Sequence, residues 1–127
     1  MAAITATEVR GAHKDGVSVV RYHGTGTSNQ ADTLSSTAVP KHKTQRLSYI
    51  SCVYSGAATQ AGVTVTVDSG ISSGYDALLT TGSANAQTTV YIPDGDVILL
   101  PGDAIIVAAP AGGAVTAAIT ITLEESP

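Results

Sequence analysis

Gly62-Val63-Thr64-Val65-Thr66-Val67-Asp68 alternates an aliphatic side chain with a hydroxyl side chain at every step. A pleated strand turns successive side chains to opposite faces, so the three valines share one face and the threonines the other. The same period returns near the carboxyl end, where Val115, Ala117, Ile119, Ile121 and Leu123 form one face and Thr116, Ala118, Thr120 and Thr122 the other. Both runs are rich in β-branched residues and neither has a helical period. Weaker strands are predicted over 16–22, 47–54, 88–92, 96–100 and 104–109, with an extra one near 4–9, for seven or eight in all.

Turns separate these runs. Pro93-Asp94-Gly95, Pro101-Gly102-Asp103 and Pro110-Ala111-Gly112-Gly113 each join a fixed φ to a glycine that can take positive φ. The stretch 103–124 then reads as a hairpin closing the domain, and the one helical piece expected is a turn or two around 75–79. Residues 24–46 are polar and rich in Gly, Ser and Thr, with no periodic apolar face before Leu47, and read as a long loop or extended arm. Short antiparallel strands without crossover helices predict one all-β domain over 1–127, an antiparallel, jelly-roll-like β-sandwich.

Charge is segregated along the chain. All six Lys and Arg (Arg10, Lys14, Arg21, Lys41, Lys43, Arg46) and all three His (His13, His23, His42) lie in the first 46 residues, which carry net +3, while the remainder carries net −7. Charged residues make up only 13% of the chain, so Thr, Ser, Gly, Ala and Asn must cover the surface, which resists association poorly. With no Trp or Phe, five Tyr and an acidic balance, nucleic-acid binding is not expected. The single cysteine, Cys52, excludes an internal disulfide framework and is expected to be a buried, inert thiol. No apolar run approaches the ~20 residues that span a bilayer, and the start MAAITATEVR lacks a signal-peptide pattern, so a chain made without export is expected.

Candidate chemistry is sparse. Gly70-Ile71-Ser72-Ser73-Gly74 matches the G-x-S-x-G elbow, but no histidine follows His42 to serve as a base, so Ser72 reads as part of a loop. Asp94, Asp96 and Asp103 place three carboxylates in adjacent turns, an oxygen-rich arrangement that can hold calcium, although Asp is also a common turn former. The three histidines have no zinc-ligand spacing. Lys41, His42, Lys43 and Arg46 form a basic cluster that reads either as a solvated run or as a contact with an acidic partner surface, such as a neighbouring subunit. Edge strands are usually guarded by lysine, yet none follows Lys43, so edges covered by neighbouring copies, with a homotrimer as the first expectation, follow from the pattern. The expectation is a chain without cofactor, without catalytic residues and without enzymatic activity.

The phrases GVTVTVDSG (62–70), YIPDGDVILLPGDAIIVAAPAGG (91–113) and AAITITLEES (117–126) resemble small jelly-roll virion proteins of bacteriophages, especially capsid decoration (cement) proteins. The resemblance implies a non-enzymatic oligomer, typically a trimer, made in the host cytoplasm. It would be bound to the major capsid protein on the outside of the head, which it stabilises against internal DNA pressure. It also implies that the amino-terminal arm touches neighbouring subunits or the shell. No signature residue is carried over. The alternative is a tail, neck or fibre module that binds a receptor or another virion protein; a cupin-type enzyme is disfavoured because the strand-rich part has no histidine.

Overall fold

The computed structural model describes residues 2–12 and 17–126. Eleven strand segments occur among them: β1 (Ala2–Ala3), β2 (Thr7–Ala12), β3 (Ser18–Thr25), β4 (Asp32–Ser35), β5 (Thr44–Tyr54), β6 (Thr64–Asp68), β7 (Ala77–Thr81), β8 (Thr88–Tyr91), β9 (Ile98–Leu99), β10 (Ala104–Ala109) and β11 (Ala117–Ser126). They form a five-stranded sheet in the order β1-β4-β10-β6-β7 and a second sheet in the order β2-β3-β11-β5-β8, with β9 also on β5.

The path between sheets makes this a jelly roll. The chain passes from β3 in the second sheet to β4 in the first, back to β5, across to β6 and β7, back to β8, and then to β10 and finally β11. Two four-strand blocks, β3-β11-β5-β8 and β4-β10-β6-β7, therefore face each other as two interleaved Greek keys. The runs expected near 4–9 and over 96–100 are β2 and β9, and the three strands beyond the expected set are β1, β4 and β7. All pairings are antiparallel except that of β1 with β4.

Alternation fills the space between the sheets. Val20, Tyr22, Leu47, Ile50, Cys52, Tyr54, Ile119, Ile121 and Leu123 from one sheet meet Leu34, Val65, Ile105, Val107 and Ala109 from the other, all buried. The register of β5 against β11 shifts between Thr122 and Leu123, opposite Leu47 and Tyr49. That bulge adds one residue to β5, so Leu47 and Ile50 both point inward although they are three apart.

Three sequence expectations are corrected. Residues 24–46 are not one long loop or arm: they contain the end of β3, all of β4 and the start of β5. The strand was hidden because its two fully inward residues are Asp32 and Leu34, and one carboxylate in four residues erases the apolar period. The stretch 103–124 is not a hairpin, because β10 and β11 belong to opposite sheets and the segment 110–116 carries the chain across the sandwich. The region 75–79 holds only the end of a 3-10 turn (Ser73–Tyr75) before β7 begins, since cross-strand partners on β6 hold 77–81 extended. Among the described residues no helix is long and apolar enough to cross a membrane.

Candidate interaction surfaces

The predicted basic cluster is split by the fold. Lys41 and His42 sit exposed in the turn before β5, where His42 takes φ 67°. Lys43 and Arg46 turn instead toward β11. The Lys43 Nζ lies 3.9 Å from Glu125 Oε2, and Arg46 donates to Glu124 Oε1 at 2.5 Å while lying 3.6 Å from Asp96. Glu125, 5% exposed, also accepts from Arg10 Nη1 at 2.8 Å and from the buried Gln45 amide at 3.0 Å. Burial pushes its carboxyl up, but the hydrogen bonds from Gln45 and Arg10 and the charges of Arg10 and Lys43 outweigh this and hold it below the ordinary carboxylate value. The acidic surface that Lys43 and Arg46 meet is thus on their own chain.

The three turn carboxylates do not converge. Asp103 accepts from Gly70 N at 2.9 Å and from Leu100 N at 3.0 Å, so both of its oxygens fasten backbone. Asp96 faces Arg46, and Asp94 is exposed on its turn. Among the described residues no group of three or more His, Cys, Asp or Glu is placed to hold a metal ion. Ser72 is exposed in the β6–β7 connection, followed by a 3-10 turn rather than the helix a nucleophile elbow requires. His23 points outward against the Thr120 hydroxyl at 2.8 Å; His13 lies outside the described residues. Cys52 is 1% exposed and burial pushes its thiol up to about 11, as expected of an inert core cysteine. No cavity opens among the described residues.

What the topology does assemble is two surfaces that reading along the chain did not find. The first is one whole end of the sandwich. The connections 26–31, 55–63, 82–87 and 110–116 all lie there, because β3, β5, β7 and β10 all finish at that end. None of the four contains an Asp, Glu, Lys, Arg or His. Gly, Ala, Ser, Thr, Asn and Gln make up most of their exposed positions. This end is held rigidly from below. Asp32 is buried and accepts from Thr27 N at 3.2 Å, and Tyr54 donates its hydroxyl to Pro110 O at 2.6 Å. Gln60 donates its side-chain amide to Ala86 O at 3.0 Å and its backbone N–H to Asn85 Oδ1 at 2.9 Å. Burial pushes the Tyr54 phenol up to about 12.

The second surface is an apolar corner at the opposite, charged end. Gly70 touches Gly102 so closely that a Cβ on Gly70 would lie 2.6 Å from the Gly102 carbonyl carbon, and Asp103 bridges the same two turns. Ile71 (78% exposed) follows Gly70 and Leu100 (58% exposed) precedes the Gly102 turn, while Leu78 opposes Thr66 on the outer face of the first sheet and Ile98 opposes Arg46 on the outer face of the second. Tyr75, Leu78, Ile92 and Ile98 are also exposed along the β7 and β8–β9 edges. A tally of charges loop by loop would have shown the first surface, had the strand pairing been known. The second depends on which turns meet.

No family model matches this chain, and no curated protein matches it. Among solved structures it is similar to family 29 carbohydrate-binding module variants. One, complexed with mannohexaose, is 14% identical with a TM-score of 0.39, covering 97% of this chain and 81% of that one. Another is 14% identical with a TM-score of 0.39, covering 97% and 76%. A third, complexed with cellulohexaose, is 13% identical with a TM-score of 0.37, covering 97% and 80%. At these scores the likeness carries no conclusion about ligand.

Proposed function

We propose that this chain is a non-enzymatic assembly protein that docks end-on, through its uncharged loop end, onto an ordered protein shell, and that the shell is a bacteriophage head. The observation that carries the docking is the absence of any ionisable acid or base from the four connections 26–31, 55–63, 82–87 and 110–116. Covering such a surface strips water from no charge, and the cores of protein interfaces are depleted in charge for this reason. Small side chains let a flat partner approach closely. The other end, with Lys41, His42, Asp94 and Asp96 exposed, stays in solvent and keeps the particle soluble.

The identity of the shell rests on the resemblance of 62–70, 91–113 and 117–126 to decoration proteins. In that role the partners are further copies of this chain and the major capsid protein, and the location is the outer surface of the virion. Modest contacts repeated across a lattice add up to firm attachment.

Co-sedimentation with purified phage heads stripped of accessory proteins tests the reading. Wild type is expected to pellet with heads. Ala84→Asp and Ala114→Glu, at exposed tips of the uncharged end, are expected to weaken pelleting at least tenfold while leaving the melting temperature within a few degrees. Raising the salt from 50 to 500 mM is expected to change little, since no charge pair is made. Pelleting that survives both substitutions but is lost with Lys41→Ala and His42→Ala, or in salt, would overturn end-on docking in favour of the basic turn.

A further inference from the structure

We infer that the Asp94–Gly95 bond is a site of spontaneous covalent modification, at which Asp94 closes onto the following amide as a succinimide and reopens as isoaspartate.

This chemistry asks three things of an aspartate. Its carboxyl must be free to turn back along the chain, the next backbone N–H must be free to attack it, and the next side chain must not obstruct the ring that forms. Glycine obstructs least, because it has no Cβ and the most permissive backbone. Asp94 meets all three conditions. It is exposed on its turn, and among the described residues its carboxylate makes no ion pair. Gly95 is also exposed, its N–H donates to no backbone carbonyl among the described residues, and a Cβ built there would meet nothing within 4 Å.

The fold withholds the same chemistry from every other described Asp. Asp32 is buried in β4. Asp68 is followed by Ser69, whose N–H is committed to Asp76 Oδ1 at 2.8 Å, and that bond also holds the Asp76 carboxylate. Asp96 faces Arg46 at 3.6 Å and precedes the β-branched Val97. Both oxygens of Asp103 accept from backbone, at 2.9 Å and 3.0 Å. Asparagine can follow the same route with loss of ammonia, but Asn85 Oδ1 accepts from Gln60 N at 2.9 Å and Asn29 precedes the long Gln30. A second Asp-Gly pair, Asp15-Gly16, lies outside the described residues.

In the first step the Gly95 nitrogen bonds to the Asp94 side-chain carboxyl carbon. The amide proton and the carboxyl hydroxyl leave together as water, which closes a five-membered imide. In the second step water adds to one of the two imide carbonyls and one C–N bond breaks. Breaking the bond to the side-chain carbon restores aspartate, whereas breaking the bond to the main-chain carbon leaves the chain running through Cβ. Nothing is oxidised or reduced, and water is the only co-reactant.

The isomer lengthens the main chain by one methylene between β8 and β9. The exposed contact of Asp96 with Arg46 is the first to be lost. Strand β9 pairs with β5 only at Gln45–Leu99 and Arg46–Ile98, so it shifts without breaking a long ladder. The modification therefore marks the age of a copy without unfolding it.

The experiment incubates the purified full chain at pH 6 and 37 °C and follows the chymotryptic peptide 92–99, released by cuts after Tyr91 and Leu99. Trypsin is of no use there, because no Lys or Arg follows Arg46. With time the peptide is expected to split into two forms of equal mass. Electron-transfer fragmentation is expected to place isoaspartate at position 94, and endoproteinase Asp-N, which cuts before aspartate and not before its isomer, is expected to spare that bond in the new form. A synthetic peptide of the same sequence is expected to convert at a rate within a few-fold of the folded protein. Gly95 does not take positive φ and its Cβ position is open, so Gly95→Ala is expected to melt as wild type does and to slow the conversion several-fold. No isomer at position 94 in the folded protein after the free peptide has converted, an isomer at Asp96 or Asp103 in its place, or an unchanged rate in Gly95→Ala would overturn the inference.

Discussion

Replacing Glu125 by alanine tests the knot of side chains that ties β2, β5 and β11 together at the charged end. The carboxylate is 5% exposed and accepts from Arg10 at 2.8 Å and from Gln45 at 3.0 Å, with Lys43 at 3.9 Å. Gln45 is 1% exposed and its Oε1 already lacks a partner. Without Glu125 its amide nitrogen is stranded too, at about 1–3 kcal/mol. Arg10 loses less, because its side chain is 44% exposed and can keep Glu8 at 2.9 Å and turn to water, so that bond is discounted to about 1 kcal/mol. The expected loss is about 3 kcal/mol, or roughly 10 °C in melting temperature for a domain of this size. Urea unfolding at pH 7 measures it, with protein concentration held fixed between variants. A loss below about 1 kcal/mol would refute the knot. Glu125→Gln retains an acceptor for Gln45 and is expected to lose about half as much. The pH dependence has a definite sign. The folded carboxyl lies below its ordinary value of 4.5, so the unfolded chain takes up the proton first as pH falls. The stability difference between wild type and Glu125→Gln is therefore expected to be constant from pH 8 down to about 5 and to shrink as pH falls further, through the folded value.

Three other outcomes follow from single contacts. Tyr54→Phe keeps the buried ring and removes the hydroxyl bond to Pro110 O at 2.6 Å, so a loss of about 1 kcal/mol is expected in urea unfolding. Gly26→Ala places a methyl against the Asp32 carboxylate, which must move off the Thr27 N–H, so a loss of at least about 2 kcal/mol is expected, with Asp32→Ala relieving the clash in a double-mutant cycle. Cys52, with its thiol pushed up to about 11, is expected to react with a thiol reagent at pH 8 only as fast as the protein unfolds; stoichiometric labelling within seconds in native buffer would contradict its burial.

The strands with a complete aliphatic period were legible because β-branched alternation and burial are the same signal. Val63 and Val65 on the β6 run, and Ala117, Ile119, Ile121 and Leu123 on β11, are all buried as their spacing demands. The 104–109 strand matches β10 residue for residue. Strand β4 was illegible because Asp32, a residue that reads as loop, is buried there with its carboxylate accepting from the backbone of the preceding turn. Strand β7 was illegible because Ala77 and Leu78 are both exposed, so no inward period exists to be read. Sheet membership was a separate difficulty. Adjacent runs with a Pro/Gly turn between them read as a hairpin, yet in a jelly roll successive strands commonly change sheet, and only pairing reveals which do. The candidate surfaces share that obstacle, since loops separated by tens of residues meet only once the strand order is fixed.

Topology also decides what becomes of the uneven charge along the chain. The last strand, β11, is not at an edge but between β3 and β5, so Glu124 and Glu125 are carried from the cation-free part of the chain into the midst of the early cations. There Arg10, Lys43 and Arg46 neutralise them. Among the described residues the acids of β6 to β9 have no such escort apart from Asp96, which Arg46 reaches, because those segments lie toward the other side of the sandwich. One imbalance in the sequence thus separates into a clamp within the chain and a set of surface acids that meet few cations. The two respond differently to salt. The Gln45–Glu125 contact is buried and weakly screened, whereas the Arg46 pairs and the remaining surface acids lie within reach of counterions on the scale of a Debye length, about 8–10 Å near physiological ionic strength. Salt should therefore weaken the exposed Arg46 pairs more than it loosens the buried contact of Gln45 with Glu125.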